Sequence, residues 1–201
     1  EIKDEEHLKQ FRADASAELN DVLKDCDCLR YIRARKYDVA KAIKMADKWF
    51  EWYYAPLLEG NQSFDGMTPA TITDKPYARE ALRTAEFTPH AYIGVDKHNR
   101  PIYWEKTGLI STNFASLKKV FTIEELVCQH IRQAEMTAKR LDYMSEKTGT
   151  LIEKQVVVMD LSGISYYCDP DSLRAFHMNL KIDTEFYPER LHHLFMINAP
   201  W

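Results

Sequence analysis

Apolar side chains recur every third or fourth position through the first quarter of the chain, and shorter, more continuous apolar runs take over further on. Leu8, Phe11, Ala15, Leu19 and Val22 keep a helical period, which predicts one amphipathic helix over residues 5 to 24. A second, short helix is expected around CLRYIRARK. Asp38 stands as the N-cap of a third, VAKAIKMADKWFEWYYA, which puts Ala42, Ala46, Phe50 and Tyr53 on one side and ends before Pro56. The following stretch, LLEGNQSFDGMTP, is rich in turn formers and reads as a linker.

Beyond it the period changes. HAYIGVDKHNRPIYWEKTG reads as two extended runs around a turn at Asp96 to Arg100, with Asn99 suited to a left-handed conformation. Thr122 and Glu125 form a capping box that opens a long helix, and Gly149 stops it. Its inner face should carry Ile123, Leu126, Val127, His130, Ala134, Ala138 and Leu141. QVVVMDL is a continuous apolar run, as expected of a strand covered on both faces. Asp169 and Pro170 then start a helix through Leu173, Phe176 and Leu180 to Tyr187. Leu194 to Asn198 return as a short buried strand. Strand, helix, strand at this spacing is a βαβ crossover with parallel strands. The fold class is therefore α/β, a helical lobe followed by an α/β lobe.

Composition narrows the function. With 45% hydrophobic residues among 201, the chain can bury one real core. A net charge of -4 argues against a general nucleic-acid binder, which needs a strongly basic face. No apolar stretch approaches the roughly 18 residues of a membrane span, and the charged N-terminal stretch is not a secretory signal. Cys26, Cys28, Cys128 and Cys168 lack zinc spacing and read as the reduced thiols of a cytosolic protein.

Catalytic signatures are missing. Six glycines give no phosphate-cradling loop, LSGIS is not a nucleophile elbow, and the histidines show no metal spacing. Asp160, Ser162 and the pair His192-His193 could assemble a hydrolytic site only if the fold brought them together. Two charged features stand out instead. Arg30, Arg33, Arg35 and Lys36 crowd one short helix of a mildly acidic chain. They are either a solvated helix face or an anion site, in which a charge-assisted hydrogen bond contributes about 1.5–3 kcal/mol. Glu189, beside an apolar strand, is either a surface residue or a buried carboxylate that requires a cationic or hydroxyl partner.

Four stretches, LRYIRARKYDVAKA, RPIYWEKTG, VVVMDLSGIS and YPERLHHLFMINAP, together resemble the CRAL-TRIO family, and within it the yeast-type secretory phosphatidylinositol transfer proteins. The resemblance spans nearly the whole chain. It implies a three-helix N-terminal lobe over residues 1–60 and an α/β lobe over 75–201 whose mixed sheet floors an apolar lipid cavity. It implies a bound phospholipid and no other cofactor. It also implies that INAP is followed by further helices, including a mobile gate, and by more strand. This chain is accordingly expected to be the domain cut short at its C-terminal end, with a solvent-open cavity, an unprotected strand edge and poor transfer.

By the same resemblance Arg35, Lys36 and Glu189 correspond to the family's phosphoinositide-recognising residues, Glu189 pairing with Lys36 or accepting from an inositol hydroxyl. Tyr92 and Tyr103 correspond to its choline-lipid tyrosines. A third tyrosine is replaced by His130, which sits on an apolar helix face as a core histidine or a cavity contact. The hydroxyl positions of the central strand are Gln155 and Val157, and valine cannot donate to a phosphate. The implied function is transfer of a single phospholipid, most of all phosphatidylinositol, by a cytoplasmic protein that associates transiently with a membrane surface and serves lipid-kinase or membrane-traffic partners. The rivals are a sensing or docking module that makes the same contacts without exchange, a carrier of another hydrophobic ligand, and an enzyme.

Overall fold

The computed structural model describes residues 2–61, 63–74, 86–165 and 168–200. The helices α1 (Ile2–Asp14), α2 (Ala17–Val22), α3 (Asp25–Ala34) and α4 (Val39–Tyr53) come first. Then follow β1 (His90–Val95), β2 (Pro101–Glu105), α5 (Gly108–Leu117), α6 (Ile123–Thr148), β3 (Gln155–Asp160), α7 (Pro170–Phe186) and β4 (Leu191–Ile197). The strands lie in the order β1-β2-β3-β4, with β1 antiparallel to β2 and the remaining pairs parallel. The sheet is thus mixed, and β3-α7-β4 is the expected crossover. The domain boundary expected at residue 75 lies outside the described residues.

The single helix expected over residues 5 to 24 is two. Ser16 turns extended, and its hydroxyl accepts from the Leu19 N–H at 3.2 Å, so it caps α2 and ends the run from α1. The apolar period survives the break because both pieces feed one core, in which Phe11 and Leu19 meet Tyr31, Ile32, Ala42 and Ala46. The stretch from 57 to 69 is likewise no loose linker. Phe64, Met67 and Ile72 are buried against Val127, Cys128 and Ile131 of α6, and the Leu57 N–H donates to the Met67 carbonyl at 2.8 Å. Turn formers reverse the chain there, but the apolar residues between them wedge it into the join between helices.

The expected caps and turns hold in detail. Asp38 caps α4 through the Lys41 N–H. The Asp96 carboxylate accepts from the N–H groups of His98 and Arg100, and Asn99 takes φ 62°. Thr122 and Glu125 bond reciprocally at 3.1 and 2.8 Å, and Gly149 closes α6 at φ 64°. β4 departs from expectation. It is the edge strand among the described residues, so Leu194, Phe195, Met196 and Ile197 stand 40–64% exposed rather than buried. β3 is central, yet only Val156 and Val157 are fully buried.

Candidate functional site

The basic helix α3 ends in a tight reversal. Lys36 and Tyr37 both take positive φ, 54° and 68°, at a cost of about 1–2 kcal/mol for each side-chain-bearing residue. Tyr37 offsets the strain. Its hydroxyl donates to Asp4 at 2.9 Å, the Lys3 ammonium lies 3.8 Å from its ring, and His7 meets the ring edge-on. The reversal turns Lys36 to solvent, and neither Arg35 nor Lys36 forms a side-chain hydrogen bond or ion pair with a described residue. The other two cations of the cluster are structural. Arg30 donates to Asp27 at 2.6 Å and to the Pro188 carbonyl at 3.2 Å. Arg33 bridges Asp4 and Glu153 at 2.9 and 3.2 Å. The cluster therefore divides by turn of helix, two arginines binding the lobes together and two cations left facing outward.

Glu189 also takes a left-handed φ, 62°, just after Pro188. Its carboxylate accepts from the Lys154 ammonium at 2.5 Å, so its partner is Lys154 and not the expected Lys36. Lys154 adjoins Glu153, so the segment entering β3 carries one residue paired to α3 and one paired to Glu189. Asp27, beneath them, accepts from Arg30 and lies 3.7 Å from Arg190. Burial works to raise Asp27, but the charges of Arg30 and Arg190 outweigh it and hold the carboxyl below its ordinary range. Burial and the nearby Arg30 push Arg190 down to about 10.

The expected cavity residues form a row across the sheet. Tyr92 pairs with Tyr103, Tyr103 with Val157 and Val157 with Leu194, so all four project from one face. The Tyr92 hydroxyl meets Thr137 of α6 at 2.7 Å and donates to Gln155 at 3.2 Å. His130 stands apart from this row and meets the Asp183 carboxylate of α7 at 2.7 Å. On α7, Ala175, Met178, Ile182 and Phe186 pack inward. Leu173, Phe176 and Leu180, one stripe at helical spacing, are 45–47% exposed. A cleft of about 590 Å³ lies at the other end of the sheet, lined by Lys97, His98, Arg100, Lys154 and His192 among others. The hydrolytic set is not assembled. Asp160 pairs with Ile197 at one end of β3-β4, and His193 pairs with Val156 at the other, about 13 Å along the strands.

Residues 89–201 match the family described as CRAL/TRIO domain, and residues 7–46 match CRAL/TRIO, N-terminal domain. The chain belongs to the CRAL/TRIO family. It is similar to SEC14 cytosolic factor of Candida glabrata, 31% identical over 199 residues that cover 96% of this chain and 61% of that protein. Phosphatidylinositol/phosphatidylcholine transfer protein SFH4 of Arabidopsis thaliana is 30% identical over 173 residues, covering 85% of this chain and 26% of its own. The crystal structure of Sfh5 shares the fold, with a TM-score of 0.64 at 16% identity over 96% of this chain and 59% of that one. The chain spans about six-tenths of the length of the Candida glabrata relative.

Against the CRAL/TRIO expectation, the structure brings Tyr92, Tyr103, Gln155 and Val157 together and leaves His130 outside their row. Thr137 and Lys154 were not anticipated as partners there. Thr137 offered a signal, since it stands seven residues beyond His130 on the same helix. Lys154 offered none, because its pairing with Glu189 spans 35 residues.

A further buried group was missed. Glu135 of α6 accepts from the Tyr187 hydroxyl at 2.6 Å and the Tyr53 hydroxyl at 3.2 Å, tying α4, α6 and the end of α7. Burial pushes its pKa up, and the two hydroxyls only partly offset that. A folded-state pKa above the unfolded one gives stability that is present below the unfolded value and lost as pH rises through the folded one. Glu135→Gln keeps the oxygen and lets the amide donate to Tyr53. Its melting temperature relative to the parent should therefore rise between pH 4.5 and pH 8. A difference that stays flat or falls across that range, read by calorimetry of both proteins, defeats the assignment.

Proposed function

We propose that this chain is the lipid-holding part of a carrier that takes one phospholipid, phosphatidylinositol, from a membrane through the cytoplasm. The observation that carries the reading is the apolar surface on both sheet and helix: Leu194 and Met196 on the edge strand and Leu173, Phe176 and Leu180 on α7. A two-chain lipid leaving a bilayer gives up about 0.8 kcal/mol for each buried CH₂, on the order of 20 kcal/mol in all. At about 25 cal/mol per Å², matching that takes roughly 800 Å² of apolar contact. Hydrogen bonds to a headgroup select the lipid but cannot drive its extraction.

Selection falls to Arg35, Lys36 and Glu189. Two cations with no side-chain partner among the described residues suit the phosphate, and the Glu189 carboxylate, held by Lys154 through one oxygen, has the other to offer an inositol hydroxyl. A choline lipid finds less. Val157 offers no donor, and the Tyr92 hydroxyl is already engaged with Thr137 and Gln155. Names of relatives support transfer as the activity. Membrane contact in this reading is transient, and lipid kinases or membrane-traffic components are the partners it would serve.

The test is mass spectrometry of lipids that co-purify with the protein and with Lys36→Ala. Loss of one charge-assisted contact, about 1.5–3 kcal/mol, should deplete phosphatidylinositol roughly ten- to hundredfold in the variant. Equal phosphatidylinositol in both proteins would remove Lys36 from the site. A different hydrophobic ligand in both would move the function to another cargo. Phosphatidylinositol bound without exchange between liposomes would make the chain a sensing module.

A further inference from the structure

We propose that the basic groove along α4, bounded by the ends of α3 and α7, is where the protein docks on a membrane surface rich in anionic phospholipid. This rests on the carrier reading for its purpose and shares Arg35 and Lys36 with the headgroup site above, whereas Lys41, Lys44 and Lys48 belong to the groove alone.

The groove encloses about 250 Å³ and is lined by Arg35, Lys41, Lys44, Met45, Lys48 and Glu185. Lys41, Lys44 and Lys48 are three and four residues apart, so they share one face of α4. Like charges at those spacings oppose the helix, and ion pairs offset two of the three lysines. Asp38 pairs with Lys41 at 2.6 Å and Glu185 with Lys48 at 2.7 Å. Arg35, Lys44 and the adjacent Lys36 have no side-chain ion pair with a described residue. Only two of these five cations are ion-paired with described carboxylates, Asp38 and Glu185, in a chain whose net charge is -4.

An extended anionic surface fits this arrangement better than a single small anion. From Lys41 to Lys48 the stripe runs about 10 Å along the helix axis, farther than one phosphate can bridge. The lysines of α4 are exposed, and each ammonium is a mobile point charge rather than a rigid fork. The acidic remainder of the surface is repelled by an anionic bilayer, so the groove would also orient the protein as it approaches.

The experiment measures cosedimentation of the whole chain with phosphatidylcholine vesicles and with phosphatidylserine-rich vesicles, for the parent and for Lys41→Gln/Lys44→Gln. Neither vesicle contains an inositol lipid, and Arg35 and Lys36 stay intact, so failure of the phosphatidylinositol reading leaves this result untouched. The parent should prefer the phosphatidylserine-rich vesicles and lose that preference as salt is raised. The double variant should bind them roughly 30-fold more weakly, each lysine near an anionic bilayer contributing about fivefold. Lys44→Gln alone should show about a fivefold loss, which keeps the test open if the double variant folds poorly. Equal binding of parent and variants would overturn the proposal. So would equal binding of the parent to both vesicles, or saturable binding of inorganic phosphate with no preference between vesicles, which would make the groove a small-anion pocket.

Discussion

Arg30→Ala is expected to destabilise the protein by about 3–5 kcal/mol, the range for removing one partner of a buried ion pair. Arg30 is buried, and its guanidinium holds Asp27 on its own helix and the Pro188 carbonyl across the lobes. Arg190, 3.7 Å from Asp27, can close on the orphaned carboxylate and recover part of the loss, which places the effect at the lower end. In a chain of this length 3 kcal/mol lowers the melting temperature by roughly 10 °C. Asp27→Asn should be worse than Arg30→Ala. It leaves the buried Arg30 guanidinium and the partly buried Arg190 guanidinium without the carboxylate between them, where the arginine variant leaves a cation and an anion. Thermal melts of both variants decide the point. Arg30→Ala within 1 kcal/mol of the parent, or milder behaviour of Asp27→Asn, would show that the three charges do not share one site. The site above depends on this anchor, because the carbonyl that Arg30 holds belongs to the residue just before Glu189.

Local chemistry was the legible part of the fold. Caps at Asp38, Thr122 and Asp169, the turn at Asp96 and the left-handed Gly149 each depend on residues within a few positions, so one sequence suffices to place them. Expectations failed where the answer lay farther off. Ser16 breaks the first helix without breaking its apolar period, because α1 and α2 feed the same core. Residues 57 to 69 carry the composition of a linker, yet Phe64 and Met67 find a hydrophobic wall on α6. The apolar run from Leu194 to Ile197 does form a strand, but its place at the sheet edge follows from strand order, which composition does not contain.

The site was readable in the same uneven way. Resemblance pointed to Arg35, Lys36 and Glu189, and the backbone makes all three unusual in position: Arg35 at the helix cap, Lys36 and Glu189 at positive φ. The charges that hold them were hidden. Arg33 reaches Glu153 across 120 residues and Lys154 reaches Glu189 across 35, so each looked solvated in isolation. Tyr92, Tyr103 and Val157 lie in one row because register puts them there, and register needs the strands paired first.

Gly108→Ala is the second large effect, expected at about 3 kcal/mol, the upper end of what overpacking costs. Gly108 closes RPIYWEKTG and opens α5. A Cβ there would lie 2.4 Å from the Ser162 carbonyl oxygen and 2.5 Å from the Leu161 carbonyl carbon. These are backbone atoms, and they cannot swing aside as a side-chain tip would. They are fixed by the parallel pairing of β3 with β4, which continues past the strand as the Leu161 N–H donates to Ile197 at 2.9 Å. The glycine is needed for closeness of approach, not for a left-handed backbone. Gly149 supplies the contrast, since it sits at φ 64° with open space around its missing Cβ. Gly149→Ala should cost only the left-handed penalty, about 1–2 kcal/mol. Urea denaturation of the two variants separates the causes. Gly108→Ala should lower the midpoint more than Gly149→Ala does, with the slope unchanged. The reverse order would mean that β3 and α5 can move apart, and that the turn beyond β3 is not the rigid wall against which α5 is set.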